Sequence, residues 1–104
     1  KTFFEKKEYI KAIELWENCI ELVDNDFAYY YNIALSYYGL KQYDISIENL
    51  DKSRNLTYSI DNGKIDELMG LNFISKKDTL NACKFLNKSQ TNRSEKLLKI
   101  INCN

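Results

Sequence analysis

Few side chains in this sequence of 104 residues could carry out catalysis, since it contains three cysteines but no histidine. The usual general base and the commonest protein ligand for metals are therefore absent. The acidic residues Asp24 and Asp26 fall between two expected helices, where N-capping explains them. The sequence contains neither a glycine-rich phosphate loop nor a Cys-x-x-Cys motif. We therefore expect no enzymatic activity, no metal and no cofactor, with a carboxylate-only or cysteine-based site as the alternative.

Cys83 and Cys103 lie on either side of a turn centred near Asn92, nine residues after the first and eleven before the second. At about 1.5 Å per residue on antiparallel helices, the two thiols lie level to within roughly 3 Å. A disulfide would stabilise the last helix by about 3 kcal/mol and would indicate a periplasmic or extracellular location. Two unpaired thiols in a cytoplasmic protein are the alternative. Cys19 is predicted to be a small buried side chain.

Composition narrows the class of partner. Fifteen basic and fifteen acidic residues give no net charge, whereas nucleic-acid binding favours a basic excess. No apolar run approaches the ~20 residues that span a bilayer, so membrane insertion is not expected. The sequence opens on Lys1 inside a helical pattern, and we interpret it as a C-terminal fragment of a longer protein.

The elements that position these residues repeat along the chain. Apolar residues at i, i+3, i+4 and i+7 predict helices at about 8–23, 27–39, 43–56 and 94–101, the last capped by Ser94. A third, degenerate unit follows the second at a spacing of 36 residues, with two residues inserted in the connection 57–63. The first repeat recurs 34 residues later, as Tyr9/Tyr43, Ala12/Ser46, Ile13/Ile47, Glu14/Glu48, Trp16/Leu50, Cys19/Ser53 and Leu22/Leu56.

With these residues in register, the chain resembles the tetratricopeptide repeat (TPR) family, especially its small bacterial members. The family's unit is 34 residues of helix–turn–helix, and its two helices carry large-x2-Leu-Gly-x2-Tyr and Ala-x3-Phe patterns. The resemblance implies an all-α, right-handed solenoid of antiparallel helix pairs. We divide this single domain into a partial repeat (1–26), a second repeat (27–60), a degenerate third repeat (61–92) and a capping helix (93–104). It departs from the family in lacking the closing prolines and in having Asp66 at a large-residue position.

The resemblance also implies which tyrosines face a ligand. Tyr30, Tyr37 and Tyr43 occupy the family's large core positions. Tyr31 and Tyr38 lie off that stripe, on the side that lines the concave groove in the family, and packing against neighbouring helices is the alternative for both. The predicted groove surface comprises Tyr31, Asn32, Leu35 and Tyr38.

Asn32 matches an asparagine with which some TPR domains hold a peptide's terminal carboxylate. That clamp also needs basic residues on the flanking first helices, and the third unit has only Lys64 nearby. We therefore do not expect a complete clamp, although Asn32 alone could hydrogen-bond to an extended peptide.

Two functions fit this arrangement. The first is a non-catalytic scaffold that binds a protein or peptide in the groove. The alternative is a self-associating solenoid segment that stacks through Phe3 and Phe4. Trp16 is predicted to be buried between the first two units, so that its replacement by Ala would cost about 3–5 kcal/mol.

Overall fold

A computed structural model describes residues 6–22, 27–56 and 63–103 of the chain. Within these ranges every regular element is an α-helix, and no strand is present. The predicted all-α class is therefore confirmed for this part of the chain. The six helices are α1 (Lys6–Leu22), α2 (Phe27–Gly39), α3 (Tyr43–Leu56), α4 (Lys64–Ser75), α5 (Thr79–Ser89) and α6 (Asn92–Ile100).

The chain divides into two compact units, residues 1–57 and 58–104. The first contains α1, α2 and α3, and the second contains α4, α5 and α6. In the first unit α2 packs against both α1 and α3, and in the second α5 packs against both α4 and α6. None of the described helices is both long enough and apolar enough to cross a membrane.

The core of the first unit lies mainly between α2 and α3. Ile33 and Ala34 on α2, and Ser46 and Leu50 on α3, are almost completely buried. The Ser46 Oγ donates a hydrogen bond to the Ala34 carbonyl oxygen at 2.7 Å, so the buried hydroxyl is satisfied. Small side chains at this crossing allow the two helix backbones to approach closely.

The core of the second unit is built in the same way from α4 and α5. Met69, Ala82 and Leu86 are almost completely buried. Gly70 lies against the Leu86 side chain so closely that a Cβ on residue 70 would overlap it. Glycine therefore serves here as the small residue that lets α4 approach α5.

The first helix of each antiparallel pair, α2 or α4, ends in the same turn geometry. After α2, the amides of Leu40, Lys41 and Gln42 donate to carbonyl oxygens of residues 36, 38 and 37. After α4, the amides of Lys76, Lys77 and Asp78 donate to those of residues 72, 74 and 73. Lys41 and Lys77 adopt left-handed φ angles of 63° and 64°. This helix C-cap, with one left-handed residue, recurs at the same 36-residue spacing as the side chains.

The start of α6 differs from the prediction. Thr91, rather than Ser94, caps this helix: its Oγ1 accepts a hydrogen bond from the Ser94 amide at 3.0 Å. Ser94 is instead fully buried and shares a short hydrogen bond with the Ser89 hydroxyl. The Thr91 Oγ1 also donates to the Glu67 carboxylate at 2.7 Å, which ties the turn before α6 to α4.

The predicted core tyrosines are less enclosed than expected. Tyr30, Tyr37 and Tyr43 are each half-buried. The Lys52 ammonium lies 5.9 Å from the centroid of the Tyr30 ring, and the rings of Tyr38 and Tyr43 lie 5.8 Å apart.

A candidate binding cleft between the first two helices

The first unit contains an open cleft between α1 and α2. Its volume is about 350 Å³, and apolar atoms form most of its walls. This is at the small end of the range in which proteins hold ligands or side chains of a partner. The described residues that line it are Tyr9, Ala12 and Trp16 from α1, and Asn32, Leu35, Ser36, Tyr38 and Gly39 from α2.

The α1 wall consists of Tyr9, Ala12 and Trp16, which share one face of the helix because they are three and four residues apart. Trp16 is half-buried, so the prediction that it is enclosed in the core is wrong. One side of its ring packs at a tilt against Tyr29, with centroids 5.6 Å apart. The indole also contributes to the open wall of the cleft, which leaves part of it accessible.

The α2 wall contains three of the four residues predicted to form a groove surface. Asn32, Leu35 and Tyr38 line the cleft, and Leu35 is 44% exposed. Tyr31 is half-buried and is not among the lining residues. The described structure therefore brings three of these side chains into one cleft and places the fourth elsewhere on α2.

Gly39 closes the end of the cleft nearest the turn. A Cβ at this position would overlap the Tyr9 ring, so the absence of a side chain lets the ring lie against the α2 backbone. This contact fixes the distance between the two walls at that end. Sequence reasoning assigned Gly39 only to the end of its helix.

Polar groups are few in the cleft. Ser36 Oγ donates to the Asn32 carbonyl oxygen at 3.0 Å, so this hydroxyl already has an acceptor within its own helix. The described lining residues include no lysine or arginine, so a carboxylate ligand would meet the Asn32 amide without the basic residues that a clamp needs. On the same helix, but outside the cleft lining, burial and, to a lesser extent, the Glu17 carboxylate raise the pKa of the Tyr37 phenol.

The walls of the cleft are mainly apolar and aromatic. Across residues 6–22, 27–56 and 63–103 no cluster of three Cys, Asp or Glu side chains is arranged to hold a metal ion. The cleft instead offers aromatic rings, one exposed leucine and one side-chain amide.

The predicted disulfide pair lies in the second unit, whereas the cleft belongs to the first. Cys83 on α5 and Cys103, just beyond α6, form a disulfide with Cα atoms 5.6 Å apart. That separation lies within the usual range for such bonds. Phe3 and Phe4, as well as the side chain of Cys19, lie outside the part of the chain that is described.

Sequence reasoning missed the contribution of α1 to this surface. Tyr9, Ala12 and Trp16 recur in the second repeat, and from this apolar stripe Trp16 was predicted to be buried. The stripe predicts which face of a helix is apolar, but it does not predict whether another helix covers that face.

Comparisons with protein-family profiles, with characterised proteins and with solved structures find no match for this chain.

Proposed function

We propose that this protein is a non-catalytic binding module that holds a protein or peptide segment in the α1/α2 cleft. The observation that carries the proposal is the open apolar cleft of about 350 Å³ with aromatic side chains on both walls. Tyrosine and tryptophan give a large contact area for few rotatable bonds, and they are frequent among the residues that dominate binding energy.

The chemistry of the walls defines the ligand class. Tyr9, Trp16 and Leu35 would contact apolar side chains, while the Asn32 amide could pair with a backbone carbonyl or amide. The chain carries no net charge, which favours a protein partner over nucleic acid.

We further propose that the helix pairs belong to a right-handed TPR-like solenoid. The recurring C-cap after α2 and α4, and the small residues at both crossings, support this arrangement. Such scaffolds present extended surfaces to partners. The Cys83–Cys103 disulfide supports a location in an oxidising compartment.

A selection from a random peptide library, followed by titration of each selected peptide into the protein, tests the binding proposal. Trp16 is the only tryptophan and lines the cleft, so its fluorescence reports binding directly. Leu35→Glu places a charge on the wall and should weaken binding at least about tenfold. Because Leu35 is 44% exposed, this variant should keep the parent's stability.

Leu15→Glu is the matched control. Leu15 lies on α1, is 60% exposed and is not among the lining residues. Its substitution should leave both affinity and stability unchanged. Failure to select any peptide, or equal affinity for the Leu35→Glu variant and the parent, would overturn the proposal.

A further inference from the structure

A cluster of lysine and phenylalanine side chains lies on the second unit, where α4 and α5 pack together. The rings of Phe73 on α4 and Phe85 on α5 are stacked, with centroids 5.5 Å apart and planes 10° from parallel. The Lys84 and Lys88 ammonium groups lie 5.8 Å and 5.5 Å from the centroid of the Phe85 ring. The Lys76 ammonium lies 6.0 Å from the centroid of the Phe73 ring. Two stacked rings therefore gather three positive charges into one surface, which we call the lysine–phenylalanine patch.

The patch is open to solvent. Its three lysines are exposed, and its two rings are half-buried. An aromatic ring carries partial negative charge on its faces, so it attracts the ammonium groups and favours positions close to the ring. Each ammonium has three N–H donors, which remain able to contact a ligand from the solvent side. The positive charges are therefore both accessible and held near one another.

The charge of this patch is not balanced by its own stretch of sequence. Residues 73–88 contain four lysines and a single carboxylate, that of Asp78. This carboxylate caps α5, where it accepts hydrogen bonds from Asn81. Among the described residues, neither Lys84 nor Lys88 has a carboxylate at salt-bridge distance. Because both ammonium groups approach one ring they repel each other, and an anion placed between them would relieve this repulsion.

We propose that the lysine–phenylalanine patch binds an acidic segment of a partner protein, whose Asp or Glu carboxylates pair with the ammonium groups of Lys76, Lys84 and Lys88. The patch belongs to the second unit, so the proposal goes beyond the cleft of the first unit and does not rest on it. Charge complementarity identifies the partner. The chain as a whole is neutral, but residues 58–104 hold eight of its fifteen basic residues and only five of its fifteen acidic ones.

An acidic protein segment fits this patch better than single-stranded nucleic acid does. Nucleic acid gains much of its affinity when its bases stack on open aromatic faces. Here the two rings are stacked on each other, and ammonium groups lie over both, so little open face remains for a base. A lysine ammonium is a compact charge on a flexible stem, whereas arginine favours a fixed, two-pronged geometry. Lysines can therefore pair with carboxylates that approach from different directions along a peptide.

Titration of the full chain into a fluorescein-labelled oligoglutamate peptide, followed by fluorescence anisotropy, tests the proposal. Binding should be saturable, and an oligoglutamine peptide of the same length should not bind. Affinity should fall between about 0.01 M and about 0.15 M salt, as the Debye length shortens from about 30 Å to about 8 Å. The variant Lys84→Gln/Lys88→Gln should bind at least about fivefold more weakly, because it removes two exposed ion pairs.

Lys96→Gln/Lys99→Gln is the matched control. Both of these lysines lie on α6 in the same unit and are exposed, so the control removes the same charge through the same kind of substitution. Its affinity for oligoglutamate should stay close to that of the parent. Circular dichroism should show both double variants folded like the parent, because all four side chains are at the surface. An equal loss of affinity in the two variants would overturn the proposal, since the peptide would then respond to overall charge and not to the patch.

Three further results would also overturn the proposal. The first is the absence of saturable oligoglutamate binding at low salt. The second is tighter binding of oligo(dT) or of phosphatidylserine vesicles that Lys84→Gln/Lys88→Gln weakens, because the patch would then serve a phosphate-bearing ligand. The third is a concentration-dependent dimer, detected by light scattering, that the same double variant abolishes. In that case the occupant would be a second copy of this chain.

Discussion

The helices α5 in the second unit and α1 in the first carry corresponding small and large apolar residues, but these residues are packed differently. On α5, Ala82 and Leu86 are fully buried under α4, and a disulfide joins this helix to the segment after α6. On α1, the equivalent Ala12 and Trp16 line an open cleft. One residue pattern therefore produces a closed core in one unit and a candidate binding surface in the other.

The faces of α5 and α1 carry similar residues, so the difference in their burial comes from the helix that packs against each face. Burying a large apolar side chain contributes about 1.5–3 kcal/mol, and a covering helix brings many such contacts at once. Where that helix is present, the stripe stabilises the fold. On α1, where no described helix covers the stripe in this way, part of the apolar surface stays open in the cleft.

Truncation of the large residue on each face should give the largest effects. We expect Leu50→Ala and Leu86→Ala each to lower the free energy of unfolding by about 3–4 kcal/mol, because both leave cavities. Trp16→Ala should cost about 1–2 kcal/mol, below the 3–5 kcal/mol expected for a fully buried indole, because the ring is partly exposed already. Urea denaturation followed by circular dichroism measures all three. An equal loss for Trp16→Ala and Leu50→Ala would show that the α1 face is closed.

Removal of the disulfide should act on the second unit alone. The bond spans 20 residues, and a loop of that length corresponds to about 3 kcal/mol. Reduction should lower the stability of residues 58–104 by that amount and increase amide exchange in α6, while α2 and α3 exchange as before. The variant Cys83→Ser/Cys103→Ser is the control, since dithiothreitol should have no further effect on it. Unchanged exchange in α6 after reduction would contradict this prediction.

The cap of α6 should make a smaller contribution. Thr91→Val removes the acceptor for the Ser94 amide and the donor to Glu67, and it should cost about 1 kcal/mol. Thr91→Ser keeps the hydroxyl and should stay close to the parent. Thermal denaturation of the two variants measures the difference. A Thr91→Ser variant as unstable as Thr91→Val would mean that the methyl group, rather than the cap, is responsible.

The smallest effect is expected at Asp78, the N-cap of α5. Its carboxylate accepts hydrogen bonds from the side chain and the backbone amide of Asn81, and these bonds lower its pKa. Because the pKa of Asp78 is lower in the folded state than in the unfolded state, the ionised carboxylate stabilises the fold. This stabilisation is fully present above the unfolded-state pKa, near 4, and is lost as the pH falls through the folded-state pKa. Stability measured from pH 6 to pH 2 should therefore fall more steeply for the parent than for Asp78→Asn. Parallel pH profiles would contradict this.

The sequence correctly predicted α2 and α3, the helix pair whose facing residues are buried against each other. Its bounds, Phe27–Gly39 and Tyr43–Leu56, match the structure because apolar periodicity and turn residues are local signals. The start of α6 was misplaced because Thr91 and Ser94 are both good caps, three residues apart. Their side chains alone do not show that Ser94 is buried beside Ser89.

The cleft was only partly predictable. Asn32, Leu35 and Tyr38 were identified through the resemblance to a family groove, whereas Trp16 on the α1 wall was predicted to be buried. Periodicity identifies an apolar face, but the exposure of Trp16 depends on which helix lies beside it. That neighbour is a tertiary property, which the pattern of a single helix does not contain.

The recurring turn after α2 and α4 has a consequence for engineering the chain. The hydrogen bonds of this turn join residues at the same sequence separations after α2 and after α4. The two turns are 36 residues apart, whereas the first repeat recurs after 34 residues. The extra two residues therefore fall in the connection 57–63, between hairpins and not within one. A linker, tag or fluorescent reporter inserted there would leave each hairpin's internal spacing unchanged, whereas a single residue added at Lys41 or Lys77 would shift every facing pair.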